Sequence, residues 1–273
     1  MYHQRDPKSA ELKKHIRNFD IIKQSNEIEK GVSYYAFPQR GVTISFLNKA
    51  KVQYKQNEMV ISPDDTAEPI ILFLGKYLQP LKLSYTAYVQ EISLNFSESG
   101  ISYFFDDYFN TLGKEDIQLI TPKDIGITVE ELNWKDDFEV GIDFIEQYFL
   151  CHLKVLNITG IEKAIELINE NPSIQTRDLA QAVFMTEKTM NRQFKRYVGC
   201  SNSQFKKIIK FRKTINDHFQ NHSKSLTDLC FDNNYFDSPH FYKQISGITQ
   251  FKPRDFFKNV SKVGLKDYPY IHF

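Results

Sequence analysis

Residues 186–199 have the sequence TEKTMNRQFKRYVG, and residues 237–250 have the sequence DSPHFYKQISGITQ. In the first stretch Met190 and Phe194 lie one helical turn apart with polar and cationic residues between them, which is typical of an amphipathic helix. The second stretch has Phe241 where the first has Met190, 51 residues further along the chain. The order of apolar and polar positions thus returns at a fixed interval, and such a repeat indicates a duplicated structural unit.

A shorter apolar segment precedes each stretch, at residues 178–180 (Asp-Leu-Ala) and residues 228–230 (Asp-Leu-Cys). We therefore expect two helices joined by a turn in each copy, which is a helix-turn-helix. In the first copy we expect Thr176 to cap the first helix and Thr186 to cap the second, because a hydroxyl accepts a hydrogen bond from an unpaired backbone N–H. In the second copy Ser238 is predicted to be the cap, with Pro as the first helical residue.

The polar face of each second helix carries the candidate DNA contacts. Arg pairs with guanine, Asn pairs with adenine, and Lys binds phosphate, so these residue types on one helix face are suited to the major groove. Two such helices on one chain would read DNA without dimerisation. We predict that the first helix supplies most of the sequence specificity, while the second sets register and grip. The predicted contacts are Lys188, Asn191, Arg192 and Lys195 in the first copy and Ser238, His240, Tyr242 and Lys243 in the second.

The charge of the chain is divided unevenly. Residues 1–159 contain 17 Lys and Arg against 23 Asp and Glu, whereas residues 160–262 contain 17 against 10. The densest basic stretch is residues 186–213, which overlaps a predicted connecting helix over residues 205–219. A basic half joined to an acidic half indicates that the basic half meets a polyanion.

The N-terminal half has the composition of a β domain. Short runs rich in β-branched and aromatic residues alternate with Gly, Pro and Asn-Asp punctuation, which predicts a small antiparallel barrel or sandwich. An aromatic interior of such a barrel is expected to accept an apolar ligand. A short helix is predicted at Glu11–Phe19, and an amphipathic helix at Trp134–Leu153. The predicted strands are residues 32–37, 42–47, 52–54, 59–62, 70–74 and 81–96.

Several other classes of protein are disfavoured by the sequence. The three cysteines have no paired spacing, so we expect free, buried thiols and a cytoplasmic protein. The seven histidines show no metal-ligand spacing and no nucleotide-binding or nucleophile motif is present, so we expect no metal, no cofactor and no catalytic residue. The N-terminus does not resemble a signal peptide, and no segment is apolar enough to span a membrane.

Residues 160–260 resemble the AraC/XylS family of bacterial transcription regulators. The resemblance rests on both copies, on their spacing and on the trailing Pro253. It implies an all-α domain with two helix-turn-helix motifs joined by one helix, which read adjacent major grooves. It also implies a cupin-like N-terminal barrel that senses a small molecule or mediates dimerisation. The matching residues are Asp178-Leu179-Ala180, Thr186, Met190-Asn191-Arg192-Gln193-Phe194-Lys195, Gly199, Leu226-Thr227-Asp228-Leu229, Ser238-Pro239-His240-Phe241 and Phe256.

The sequence departs from the family at the turns and at the end of the second copy. Phe184 and Asn234 stand where the family has Gly; a Phe there predicts either an ordinary φ or a distorted turn, whereas Asn tolerates left-handed backbone. The Gly expected near the end of the second copy is Gln250, while Gly247 is expected to shorten its helix. These changes leave open whether the second copy reads bases or only phosphates.

We therefore expect an α+β protein of two domains. Residues 1–156 form a cupin-like antiparallel β-barrel with flanking helices, and residues 157–273 form an all-α double helix-turn-helix domain. The function expected is that of a non-enzymatic transcription regulator whose partners are double-stranded DNA, a small-molecule effector of unknown identity and RNA polymerase, acting as a monomer or homodimer. The alternative is a ligand-sensing or protein-interaction module whose DNA-binding domain is partly degenerate.

Overall fold

The computed structural model describes residues 2–22, 30–111, 115, 117–128, 131, 137–263 and 268–272. Two six-stranded sheets contain the ten described strands of the N-terminal part and two strands from residues 261–272. The strands are β1 (Tyr2–Arg5), β2 (Ile16–Ile22), β3 (Val32–Ala36), β4 (Thr43–Asn48), β5 (Ala50–Lys55), β6 (Glu58–Pro63), β7 (Ile70–Leu74), β8 (Leu81–Tyr85), β9 (Gln90–Phe96), β10 (Ile117–Ile120), β11 (Ser261–Val263) and β12 (Tyr268–His272).

The first sheet has the strand order β1-β2-β9-β4-β7-β10, and the second has the order β11-β12-β3-β8-β6-β5. The described strand pairs are antiparallel except β6 with β8, which are parallel. The predicted β-rich N-terminal half is confirmed, but the strands form two separate sheets rather than a closed barrel.

The strand predictions hold for residues 32–74. One strand prediction and one helix prediction fail. The run at residues 81–96 is two strands, because residues 86–89 turn the chain from one sheet into the other. The helix predicted at Glu11–Phe19 is wrong: a single 3₁₀ turn at Leu12–Lys14 leads directly into β2. There the chain pairs on both sides, with β1 and with β9, and this pairing satisfies backbone groups that a helix would otherwise satisfy locally.

Eight α-helices lie in the described part of the chain after residue 137. The amphipathic helix predicted from Trp134 is confirmed over α1, while Trp134 lies outside the described residues. The helices are α1 (Phe138–Cys151), α2 (Thr159–Glu170), α3 (Thr176–Ala182), α4 (Glu187–Val198), α5 (Asn202–Gln220), α6 (Leu226–Asp232), α7 (Ser238–Thr249) and α8 (Pro253–Asn259).

The two copies fold alike, and we call them the first unit (α3 and α4) and the second unit (α6 and α7). The turn between the helices holds Phe184 at φ 54° in the first unit and Asn234 at φ 55° in the second. In both, the residue after the turn donates its N–H to the carbonyl four residues before the turn residue, at 2.9 Å in the first unit and 3.0 Å in the second. The sequence repeat thus corresponds to a repeat in backbone conformation, and Phe184 takes the distorted alternative.

The helix ends differ from the predictions at three positions. Thr186 caps α4 as predicted, accepting a hydrogen bond from the Thr189 N–H at 3.1 Å. Asp237, not Ser238, caps α7, because its carboxylate accepts from the His240 N–H at 2.7 Å. Thr176 caps nothing, since its hydroxyl is engaged by side chains of α5. Gly247 does not shorten α7, which continues to Thr249 and ends with Gln250 in a left-handed conformation, φ 60°.

Buried side chains connect the sheets to the helices. One hydrophobic cluster contains both Phe73 of β7 and Phe194 of α4. Phe37, which follows β3, lies fully buried among the aromatic side chains beneath the second unit, 5.1 Å from the Phe256 ring. Arg212 of α5 donates to the carbonyls of Phe37 and Pro38. The prediction that residues 157–273 are all-α is wrong over β11 and β12, because β12 pairs with the edge of β3 and β11 pairs with β12.

Candidate nucleic-acid interface

The exposed face of α4 is cationic. Met190, Phe194 and Val198 are buried and hold the helix against the core, which turns the opposite side to solvent. Three of the predicted contacts are exposed there, at the spacing that places side chains on one face of a helix. They are Lys188, Arg192 and Lys195, and Arg196 lies beside them.

Asn191, the fourth predicted contact on α4, is held by the protein. Its Oδ1 accepts from the Asn202 side-chain amide at 3.2 Å and from the Asn202 N–H at 3.4 Å. Asn202 is buried at the start of α5. Asn191 therefore positions α5 relative to α4, and it also lines a cleft together with Arg192.

The corresponding face of α7 is less charged, as predicted. Lys243 is exposed, whereas Ser238, His240 and Tyr242 are half-buried. His240 Nε2 lies 2.6 Å from the side-chain amide of Gln244, and the Tyr242 ring packs edge-on against the buried Phe241. A cleft beside this face is completed by residues from other elements, which are Leu78, Gln204, Lys207 and Ile208.

The basic stretch of α5 is mostly used inside the protein. Lys206 donates to the Ile174 carbonyl at 2.9 Å, and Lys210 donates to the Asn234 carbonyl while lying over the Tyr235 ring. Burial lowers the pKa of both ammonium groups. Arg212 is buried, and Lys213 caps the end of α2 at the Glu170 carbonyl. These cations donate hydrogen bonds to backbone carbonyls, so they are not available to contact DNA phosphates.

A segment of the N-terminal region lies directly against α4. It contains a 3₁₀ turn at Tyr108–Asn110, preceded by Asp107. The Asp107 carboxylate is 3.7 Å from Arg196 Nε, and Asp107 and Asn110 share a cleft with the cationic side chains of α4. Phe109 packs on Gly199, where a Cβ would collide with its ring. We call residues 105–111 the α4-contacting loop.

Sequence reasoning missed Arg196 and Asp107 as members of these surfaces, and it named Lys207 only as a cation of the connecting helix that attracts the DNA backbone. Arg196 follows Lys195 and could have been found from its place one turn after Arg192. Lys207 and Asp107 reach the surfaces from distant parts of the chain, and nothing in the repeat points to them. The expectation of three buried thiols is also wrong at one position, because Cys151 is exposed while Cys200 and Cys230 are buried.

Within the described ranges, no three His, Cys, Asp or Glu side chains come together as a metal site would require. None of the helices in that part of the chain combines the length and apolar character needed to cross a membrane.

No protein-family model and no curated protein matches this sequence. Solved structures are similar to it. A transcriptional regulator with an AraC-type DNA-binding domain from Chromobacterium violaceum is 22% identical with a TM-score of 0.33, covering 36% of this chain and 88% of its own. ToxT from Vibrio cholerae is 11% identical with a TM-score of 0.46, covering 84% and 96%. ToxT bound to an unsaturated fatty acid is 12% identical with a TM-score of 0.44, covering 90% and 100%.

Proposed function

We propose that this protein is a sequence-specific DNA-binding transcription regulator, and that α4 enters the major groove. The observation that carries the proposal is the exposed cationic face of α4. Thr186 caps this helix, and its buried apolar face packs against the core. Arg192 at the centre of this face is the candidate for a bidentate contact to guanine, and Lys188 and Lys195 flank it as phosphate contacts.

The second unit takes the adjacent groove in this proposal. Its helix α7 has the same turn, the same left-handed end and the same buried positions as α4, and α5 joins the two units. Lys243 and the neighbouring Lys207 are the exposed cations there. Because the second face is weakly charged, it contributes register and grip rather than most of the sequence selectivity.

The N-terminal region controls the first unit in this proposal. A chain of packed rings leads from β7 to α4: Phe73 lies 5.7 Å from Tyr108, and Tyr108 lies 4.9 Å from Phe109, which packs on Gly199. The strand neighbours of Phe73, Leu72 and Leu74, line a cavity between the two sheets. A ligand in that cavity therefore lies one strand away from the α4-contacting loop.

The direct test is selection of bound sequences from a random DNA pool, followed by titration of variants on the selected site. Arg192→Ala should weaken binding by about 1–3 kcal/mol and relax selectivity at one base pair. Lys51→Ala removes the same charge from an exposed position on β5 and serves as the control, with no change expected. Unchanged affinity and selectivity in Arg192→Ala would refute the assignment of α4.

The weak charge of the α7 face favours one alternative, a ligand-sensing or protein-interaction module with a degenerate second unit. Salt dependence on a long duplex separates the two functions. Binding through the phosphate contacts of both units weakens steeply as salt rises, with a slope of about −0.9 for each phosphate contact. A flat response would favour the alternative.

A further inference from the structure

A cavity lies between the two sheets of the N-terminal region. The centre of a water molecule can occupy about 80 Å³ of it, which is room for a small organic molecule rather than a single water. The wall formed by β3, β6, β8 and β12 is apolar and aromatic and includes Tyr34 and Tyr270. The opposite wall, on β2, β4 and β9, is polar and contains two carboxylates, Asp20 and Glu91. Of the expected Phe- and Tyr-lined apolar interior, the described lining of this cavity has four tyrosines and no Phe, and its polar wall contradicts the apolar character expected.

Asp20 is 8% exposed and Glu91 is 4% exposed. Amide groups surround the Asp20 carboxylate, with Gln4 and Asn18 donating to one oxygen at 2.8 Å each and Asn95 donating to the other at 2.6 Å. Glu91 accepts from the Tyr85 hydroxyl at 2.8 Å and from the Ser93 hydroxyl at 2.7 Å. Every one of these donors is uncharged.

Neither carboxylate forms an ion pair with a cation in the described part of the chain. Arg17, on the same strand as Asp20, attracts that carboxylate only at longer range, and Glu91 repels it. The other titratable groups on the cavity wall are the phenols of Tyr34, Tyr77, Tyr85 and Tyr270. Burial raises the pKa of Asp20 to about 6, and burial also raises the pKa of Glu91. Two buried carboxylates without ion pairs are costly for a protein unless they are protonated or something supplies a positive charge.

The chemistry of the wall selects among ligands. A carboxylate accepts about four hydrogen bonds, so both side chains retain lone pairs after their protein donors are counted. An anionic ligand would be repelled, and an alcohol would donate hydrogen bonds but leave the charges unpaired. An ammonium ion supplies a positive charge and up to three donors. The tyrosine rings on the facing wall suit its hydrocarbon part and the cation itself.

We propose that the cavity binds a small organic ammonium ion between Asp20 and Glu91, and that this ion is the effector of the protein. The second part rests on the proposed function, whereas the binding itself does not. The α4-contacting loop is the route by which occupancy of the cavity reaches the DNA-binding helix.

Calorimetric titration without DNA tests the binding. The probes are n-butylamine and benzylamine, each compared at pH 7.5 with the alcohol and the carboxylate of the same shape: butanol and butyrate, benzyl alcohol and benzoate. We expect saturable binding of at least one amine, at least tenfold tighter than its alcohol, and no binding of the carboxylates. Equal or tighter binding of an alcohol or a carboxylate, or no binding of either amine, would overturn the proposal.

Two further measurements tie the binding to the carboxylates. Asp20→Asn and Glu91→Gln should each weaken amine binding at least tenfold, while Asp65→Asn, at an exposed turn, should not change it. In the unaltered protein the affinity should fall as the pH is lowered from 7.5 to 5, because protonation of Asp20 removes the charge that the ammonium ion binds. A pH-independent affinity would count against the site even if the variants did not fold.

The effector role has its own readout. The bound amine should change the affinity for the selected DNA site at least threefold in the unaltered protein and leave it unchanged in Asp20→Asn. Amine binding without an effect on DNA affinity would overturn the effector role alone. If the unaltered protein did not bind DNA at all, the proposed function would be overturned, but the proposal that the cavity binds an ammonium ion would stand.

Discussion

Phe184 occupies a turn position whose left-handed backbone conformation favours glycine. It is held at φ 54° in the turn of the first unit and is 98% exposed, so no packing compensates for the left-handed backbone. This conformation costs a non-glycine residue about 1–2 kcal/mol. Replacement by glycine removes that cost, but glycine loses more backbone entropy on folding, so only part of the free energy is recovered. Phe184→Gly should therefore raise the stability by about 0.5–1 kcal/mol in thermal denaturation.

Phe236→Gly is the matched control for this substitution. Phe236 is also exposed, at 87%, but it does not have a positive φ, so glycine there should lower the stability. If both variants were stabilised equally, loss of an exposed aromatic ring rather than relief of strain would be the cause.

At the scale of single residues, the sequence predicted buried positions better than hydrogen-bond partners. Met190 and Phe194 were assigned correctly because the helical period alone decides which face is buried. The role of Thr176 could not be predicted in this way, since its hydroxyl contacts Asn202 and Lys206 on a later helix. Asn191 illustrates the same limit, because a polar residue on an exposed-looking face is turned toward a neighbouring helix.

At the scale of elements, the α4-contacting loop is expected to lower the affinity of α4 for DNA. Asp107 places a carboxylate beside Arg196, and a negative charge at a DNA-binding face opposes phosphate. Because exposed ion pairs contribute about 1 kcal/mol or less, Asp107→Asn should raise the affinity for the selected DNA site by about two- to fivefold. Asparagine preserves the acceptor for Asn110 and tolerates the left-handed backbone at this position.

Asp106→Asn makes the same charge change one residue away and serves as the control. Asp106 pairs with Lys154 at 2.8 Å, away from α4, and its replacement should leave DNA affinity nearly unchanged. An equal gain in both variants would show a general effect of net charge, and a loss in Asp107→Asn would contradict the assignment of the loop.

Helices and most strands were predictable as elements, whereas their partners were not. The strand at residues 70–74 was correct at both ends, since a run of β-branched and apolar residues there is bounded by Pro69 and Gly75. β2 was mistaken for a helix because Leu12, Ile16 and Phe19 repeat with helical spacing. Its true register depends on β9, more than seventy residues away, and a local pattern contains no information about that partner.

For the molecule as a whole, Arg212 joins the sheets to the helices. Its buried guanidinium donates to the carbonyls of Phe37 and Pro38 in the N-terminal region. Arg212→Met would leave these buried acceptors without that donor, which should lower the free energy of unfolding by about 1.5–3 kcal/mol in urea denaturation. Lys207→Met, at an exposed position on the same helix, should have a much smaller effect; equal losses would show that the carbonyl contacts of Arg212 contribute nothing specific.

The pairing of β12 with β3 has a consequence for the order in which the chain can be completed. β3 leaves the ribosome before β8, which can pair with one of its edges soon afterwards. The other edge receives its neighbour only when residues 268–272 emerge, more than 230 positions later. Until then an open strand edge is exposed on the nascent protein, and such edges template association between chains. Premature termination before residue 268 should therefore yield a chain that self-associates during synthesis.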